Sequence, residues 1–216
     1  MGQGRFISFE GGEGAGKTTQ IRRLVAALEK RGIETIATRE PGGTKGAEEI
    51  RALLVRGSAD RWSPLTEALL HNAARSDHLD RVIRPALDRN AWVVTDRFAD
   101  STRAYQGHAL GLGEEAIGTL EDLTVSFTRP DITFILDLPV EEGLARARAR
   151  EADAQVGEDR YEGFDVTFHE KLRQGFLAIA RAEPERCMVV DARDPADAVS
   201  DIIWQEVARR FPEVAG

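Results

Sequence analysis

The sequence predicts an α/β domain: a five-stranded, mainly parallel sheet with helices on both faces. Three observations carry that prediction. Apolar runs of strand length alternate along the chain with longer segments of helical period. The runs are short and almost wholly apolar, which is the composition of strands covered on both faces. A glycine-rich segment, GGEGAGKT, joins the first run directly to an amphipathic stretch.

In chain order, the first strand is Phe6 to Phe9, followed by the glycine-rich segment and a helix whose inner face is spelled by Ile21, Leu24, Val25 and Leu28. The second strand is Ile33 to Thr38. A long helical stretch runs from Leu65 through Leu87 and ends near Asn90. The remaining strands are Trp92 to Thr95, Thr133 to Leu136 and Met188 to Val190. Between the last two lies LARARAREAD, with Arg146, Arg148 and Arg150 at two-residue spacing. Glu151 to Gly163 follows, acidic, glycine-punctuated and nearly free of large aliphatics, and predicts a mobile loop or a plain surface connection. No repeat, low-complexity tract or linker divides the chain, so its 216 residues read as one domain.

Hydrophobic residues at 42% and charged residues at 31% are ordinary for a folded globular protein. A net charge of −8 opposes general nucleic-acid binding, so any phosphate site has to be local. The single cysteine, Cys187, excludes an internal disulfide and a multi-thiolate metal site, and its flanks, RCMVVD, predict a packed thiol in a strand. The first residues, MGQGRFISFEGG, lack the apolar stretch of a secretory signal, and no run approaches the ~18 apolar residues of a membrane span. A cytoplasmic protein without membrane contact is the expectation.

The stretch Gly11, Gly12, Glu13, Gly14, Ala15, Gly16, Lys17, Thr18 satisfies G-x4-G-K-[ST], with Thr19 after it. A buried strand before and an amphipathic helix after are the context in which this pattern cradles phosphates, and they narrow the fold to the P-loop NTPase class. Glycines let successive amides converge on oxyanions, and the helix adds its positive dipole end. Lys17 supplies a point charge to the β- and γ-phosphates, and the Thr18 hydroxyl is placed to ligand Mg2+. A triphosphate site alone does not separate a kinase from a GTPase, a motor or a ligase. The chain has no Asn-Lys-x-Asp guanine reader, and no tandem arrays or long extra domains of a motor, which leaves a compact transferase.

Four further segments follow in fixed order: TREPGGT at Thr38 to Thr44, NAARSDH at Asn72 to His78, VVTDRF at Val93 to Phe98, and STRAYQG at Ser101 to Gly107. With the phosphate loop they closely resemble thymidylate kinase, from about Arg5 to about Phe211. The resemblance implies transfer of the γ-phosphoryl group of ATP to dTMP, giving dTDP and ADP for dTTP synthesis, with Mg2+ as cofactor and a homodimer formed through packed helices. It also implies roles. Asp96 lies near the metal and the acceptor phosphate, and Arg97 grips that phosphate, both at the carboxyl end of a strand where ligands of open α/β sheets collect. A structural Asp–Arg pair is the alternative. Arg39 is a second clamp. Arg75 donates to the thymine carbonyl and Tyr105 packs beneath the sugar, a solvated helix arginine and a core tyrosine being the bland alternatives. Glu10, Ser101 and Thr102 fall among the dTMP contacts, the last two equally able to cap the next helix. His71 stands where members usually carry a phenylalanine stacked on thymine, so stacking weakens and discrimination leans on Arg75 and Tyr105.

Phosphoryl transfer needs in-line placement and positive charge on the transferring oxygens. The variable loop positions Gly12, Glu13, Gly14 and Ala15 include no base. LARARAREAD and the acidic stretch resemble the lid of bacterial-type members, about residues 150–163, in which a lid arginine supplies that charge; register puts Arg150 there, with Arg160 second and a solvated basic helix face as the alternative. Lid closure excludes water. Glu13, acidic within a phosphate cradle, needs a compensating partner, and the resemblance sets it near the acceptor phosphate and the lid arginine. Asp191 to Pro195 lies where the family rests adenine. Two other functions remain open: a kinase of another nucleoside monophosphate or of a deoxynucleoside, and a nucleotide-binding switch in which Arg39 and Arg97 would have no purpose.

Overall fold

The computed structural model describes residues 3–151, 160, 161 and 163–214, without the side chains of Arg150 and Glu151. Strands β1 (Phe6–Glu10), β2 (Thr35–Arg39), β3 (Trp92–Asp96), β4 (Ile132–Asp137) and β5 (Cys187–Asp191) form one sheet in the order β2-β3-β1-β4-β5. Every pairing between them is parallel. The helices are α1 (Lys17–Glu29), α2 (Lys45–Leu54), α3 (Pro64–His78), α4 (Arg84–Asp88), α5 (Ala99–Thr102), α6 (Glu114–Thr124), α7 (Val140–Glu151), α8 (Val166–Ala182) and α9 (Ala196–Arg210).

Alternation along the strands feeds a core on each face. Ile7 and Phe9 point to one side, against Leu24 and Leu28 of α1 and Ile203 and Val207 of α9. Phe6 points to the other, against Leu79, Ile83 and Phe98, while Ile135 meets Phe168, Leu172 and Phe176 of α8. The edge strands depart from the expected burial on both faces. No residue of β2 is fully buried, and Val189 of β5 is 42% exposed. Each has a sheet neighbour on one side only, and β2 carries polar Thr35, Thr38 and Arg39 there. Ile33, ahead of β2, packs onto the core from outside the strand.

The long helical stretch starts one residue earlier than expected, at Pro64, capped by the Ser63 hydroxyl, which accepts from the Thr66 N–H at 3.3 Å. It is not one α-helix. After His78 it widens into a π-helical turn over Leu79–Ile83 before α4. Pro85, with no N–H to offer the carbonyl one turn back, interrupts the ladder at that point. The stretch closes at Asn90, whose φ of 65° is left-handed.

Sheet register sets up the site. Phe9 pairs with Asp96, and Asp96 with Arg39, so the carboxyl ends of β1, β3 and β2 lie side by side. Cys187 is packed as expected, its thiol pushed up to about 12 by burial. Among the described residues no helix is long and apolar enough to cross a membrane.

Candidate active site

The loop from Gly11 to Gly16 leaves β1 and turns into α1. Gly14 has φ +69°, and a Cβ there would sit 2.1 Å from the Gly143 carbonyl oxygen, so the loop is seated on the first turn of α7. Gly16 faces open space just ahead of the first amides of α1, where an anion gains from both the N–H groups and the helix dipole. Lys17 folds back over this cradle, its buried Nζ donating to the carbonyls of Gly11 at 3.3 Å and Gly12 at 3.1 Å. Burial and the neighbouring Arg97 lower its pKa, against the pull of Asp96, Glu13 and Glu10. The Thr18 hydroxyl donates to Asp96 at 3.1 Å, which brings two hard oxygen donors together at the cleft. That set suits Mg2+, which takes one or two protein oxygens and completes its shell with phosphate and water.

A cleft of about 970 Å³ runs from the phosphate loop past Arg39, Asp96 and Arg97. A second cavity of about 130 Å³ opens beside it, lined by His71, Ser101, Tyr105, Gln106 and Tyr161. Glu13, Glu40, Arg51 and Arg97 line both, so a ligand in the second cavity meets the phosphate loop across them. Arg97 has a left-handed backbone, φ 68°, that turns it back from the end of β3. Its Nη1 donates to the Gly11 carbonyl and the Ser101 hydroxyl, each at 3.1 Å, and its Nη2 to Glu13 at 2.9 Å. The same Glu13 oxygen accepts from the Tyr105 hydroxyl at 2.9 Å. Burial alone would raise the Glu13 carboxyl, but Arg97, Lys17 and Tyr105 hold it at about 2, ionised. Burial opposes the Arg97 charge in turn, and Tyr105, Glu13 and Asp96 outweigh it. The groups that compensate Glu13 among the described residues are thus Arg97, Lys17 and Tyr105.

Fully buried Glu67, on α3, organises the far end of the second cavity. One oxygen accepts from Gln106 Nε2 at 2.7 Å and from the Tyr161 hydroxyl at 3.0 Å, and the other from Arg160. A carboxylate paired with an arginine only accepts, so Gln106 has to turn its amide nitrogen towards it. Gln106 Oε1 is then left buried with no partner among the described residues. A buried carbonyl oxygen left unpaired beside a cavity is an acceptor for a ligand N–H.

A family model described as thymidylate kinase matches residues 9–203. The chain belongs to the thymidylate kinase family. It is 57% identical over 211 residues to the thymidylate kinase of Caulobacter vibrioides, across 98% of this chain and 99% of that one. Identity to the thymidylate kinase of Dinoroseobacter shibae is 51% over 201 residues, 93% of this chain and 95% of the other. A crystal structure of thymidylate kinase from Ehrlichia chaffeensis aligns with a TM-score of 0.75 at 33% identity, covering 95% of this chain and 99% of that chain.

Of the residues that the thymidylate kinase resemblance assigns to dTMP, His71, Arg97, Ser101 and Tyr105 line the smaller cavity, and half-exposed Arg39 lines the cleft, paired with Glu48 at 3.1 Å. His71 is neutral, its pKa pushed down to about 3 by burial and by Arg75, Arg160, Arg97 and Arg51. Two further residues assigned to dTMP, Glu10 and Thr102, do not line the cavity. Glu10 is fully buried beneath the cavity, its oxygens accepting from the Phe98 N–H at 2.7 Å and the Ser101 hydroxyl at 2.6 Å, so it holds Ser101 in place. Burial and Asp100 raise its pKa. Thr102 is buried too, and its hydroxyl accepts from Arg75 at 3.0 Å. Arg75 is 2% exposed, which removes the solvated reading. Its Nε pairs with Glu40 at 2.7 Å, its Nη2 donates to Phe98 and Thr102, and its Nη1 donates to Asn72 Oδ1 at 3.4 Å, so it locks the TREPGG turn onto α3 and keeps one Nη1 hydrogen without a partner among the described residues.

The lid candidates separate as well. Arg160 is 2% exposed and donates to the carbonyls of Leu54, Ser58 and Ala59 and to Glu67, so it anchors the chain to the 54–59 segment instead of reaching for phosphate. Arg146 donates to the Ala192 carbonyl at 3.0 Å. Residues 152–159 and 162 of the expected lid, and the side chain of Arg150, lie outside the described residues. Among the cavity-lining residues that the sequence does not single out are Arg51, Gln106 and Tyr161. Gln106 had a signal in its place beside Tyr105 within STRAYQG, in a π-helical stretch, Arg103–Ala109, of the kind that gathers at functional sites. Arg51, which donates to the Pro41 carbonyl at 3.0 Å, and Tyr161, in the acidic stretch, had none.

Proposed function

We propose that dTMP occupies the cavity lined by His71, Tyr105 and Gln106 and that ATP lies along the cleft over Gly11 to Thr19. The reaction of this thymidylate kinase, transfer of the γ-phosphoryl group of ATP to dTMP with formation of dTDP and ADP, then runs across Glu13 and Arg97. One observation carries the reading. The buried, unpartnered Gln106 Oε1 offers an acceptor to a pyrimidine N3–H, which thymine and uracil carry and cytosine lacks. Arg75 supports it with the one Nη1 hydrogen that its bond to Asn72 leaves for a base carbonyl, and His71 and Tyr105 wall the ring and sugar. Arg97 and Arg51 face the acceptor phosphate, with Arg39 across the cleft.

Lys17 exchanges its loop carbonyls for the β- and γ-phosphates when ATP arrives. Thr18 and Asp96 would hold Mg2+, which would neutralise and orient the phosphate oxygens. Glu13 fixes the Arg97 fork and the Tyr105 hydroxyl at the junction of the two sites. Arg150 supplies charge to the transferring group, because Arg146 and Arg160 are engaged elsewhere. The turn Asp191 to Pro195 rests the adenine. The chain acts as one cytoplasmic domain and pairs as a homodimer through α3 and α6, which are joined by Thr124 and Asn72 at 2.8 Å and expose Leu65, Leu69, Leu123 and, just beyond, Phe127.

The test offers ATP with dTMP, dUMP, dCMP, AMP or thymidine and follows ADP. Turnover with dTMP, with dCMP roughly 100-fold or more poorer, is expected from an unpaired acceptor. ADP appearing with thymidine alone, or equally with dCMP, rejects the reading.

A further inference from the structure

His71 Nε2 lies 2.9 Å from the Tyr161 hydroxyl, and that hydroxyl donates to Glu67 at 3.0 Å. Glu67 is fully buried and ion-paired with Arg160. The hydroxyl has a single hydrogen and the carboxylate only accepts, so that hydrogen belongs to Glu67. His71 then has to donate Nε2–H to the Tyr161 oxygen, and its lone pair resides on Nδ1. The Tyr161 ring meets Tyr105 edge-on, with centroids 5.3 Å apart and planes at 83°, and all three rings line the acceptor cavity. Behind Tyr161, the donations of Arg160 to Leu54, Ser58 and Ala59 fix the backbone that carries it.

Resting on the acceptor-site reading above, we propose that Tyr161 is a positioning residue for base recognition: its hydroxyl, anchored on Glu67, selects one tautomer and one ring orientation of His71 on the wall of the dTMP cavity. A phenylalanine at position 71 would present the same face either way up. Histidine has two tautomers and two flips, and a base meets a different edge in each. The His71–Tyr161–Glu67 chain picks one of these before the nucleotide arrives, which removes an ordering cost from binding. It also makes Tyr161, near the end of the acidic stretch, part of the acceptor wall.

Tyr161→Phe keeps the ring and removes the hydroxyl. The KM for dTMP is expected to rise about fivefold, the loss of one net hydrogen bond, without a matching rise in the KM for ATP. In a His71→Phe background the same substitution is expected to change the KM for dTMP by less than about twofold, since no tautomer remains to be chosen. Nitrogen-15 spectra of the wild-type protein are expected to show His71 as the Nε2–H tautomer, a readout that does not depend on any variant folding. An Nδ1–H tautomer in the wild type, or a Tyr161→Phe effect equally large in both backgrounds, overturns the proposal. Arg97→Lys is the control. If it leaves the KM for dTMP unchanged, the acceptor-site reading itself fails; if it raises that KM while Tyr161→Phe does not, only the role of Tyr161 is rejected.

Discussion

Replacing Glu13 by glutamine separates the electrostatic role of this carboxylate from its shape. Two hydrogen bonds of 2.9 Å, from Arg97 and Tyr105, end on one ionised oxygen. The amide oxygen of glutamine can keep both geometries, so the charge is what is lost. The Tyr105 bond falls from one to a charged acceptor, worth about 1.5–3 kcal/mol, to a neutral one, worth about 0.5–1.5, a loss of about 1 kcal/mol, and the still-charged Arg97 loses its ion-pair partner at a similar cost, about 2 kcal/mol for the two together. For a chain of 216 residues that lowers Tm by about 4–8 °C. The folded carboxyl, at about 2, lies below its ordinary 4.5, so its contribution is complete above pH 4.5 and is lost as pH falls through about 2. The Tm deficit of Glu13→Gln is accordingly full at pH 7 and narrows in acid. In catalysis, Arg97 loses the counter-charge that aims its fork, and a kcat about tenfold lower, about 1.4 kcal/mol, is expected. ATP affinity should hold or improve, because a negative charge leaves the phosphate cradle. Steady-state ADP release and a direct ATP titration read the two separately. Equal losses in kcat and in ATP affinity would refute the reasoning.

Gln106→Leu removes the unpaired acceptor, so the KM for dTMP should rise about tenfold and the preference over dCMP should shrink, read from kcat/KM for both. Because folded His71 titrates at about 3 instead of its ordinary 6.5, the unfolded chain binds a proton below pH 6.5 that the folded one refuses; wild type should therefore lose Tm relative to His71→Phe between about pH 7 and 4, with a flat difference above pH 7. Arg160→Lys keeps the charge but not the fork that meets three carbonyls and Glu67, so a Tm drop of more than about 5 °C is expected from a buried, broken network, while a drop in kcat without one would contradict its anchoring role.

What the sequence made legible follows physical periodicity and local motif. The five strands, the phosphate loop and the end of the long helix at Asn90 all rest on short-range patterns that survive in the fold. The π-helical turn after His78 was hidden because Pro85 lies inside a stretch whose apolar spacing still reads as helix. The edge character of β2 and β5 depends on strand order, which no single run of residues encodes. At the site, motif register brought His71, Arg97, Ser101 and Tyr105 to one cavity. It could not tell a residue that faces the cavity from one that stands behind it. Glu10 and Thr102 sit one layer back, and Arg160 looks from sequence like any lid arginine until three carbonyls of the 54–59 segment converge on it. Those are long-range contacts, and they decide which charges are available for chemistry.

The central claim is that the cavity beside the phosphate loop is the dTMP site, and a crystal structure of the protein with dTMP tests it most directly. The account predicts the pyrimidine between His71 and Tyr105 with N3–H on Gln106 Oε1 and the 5′-phosphate against Arg97. A nucleotide bound elsewhere, or bound there with Gln106 Oε1 still unpaired, would contradict it.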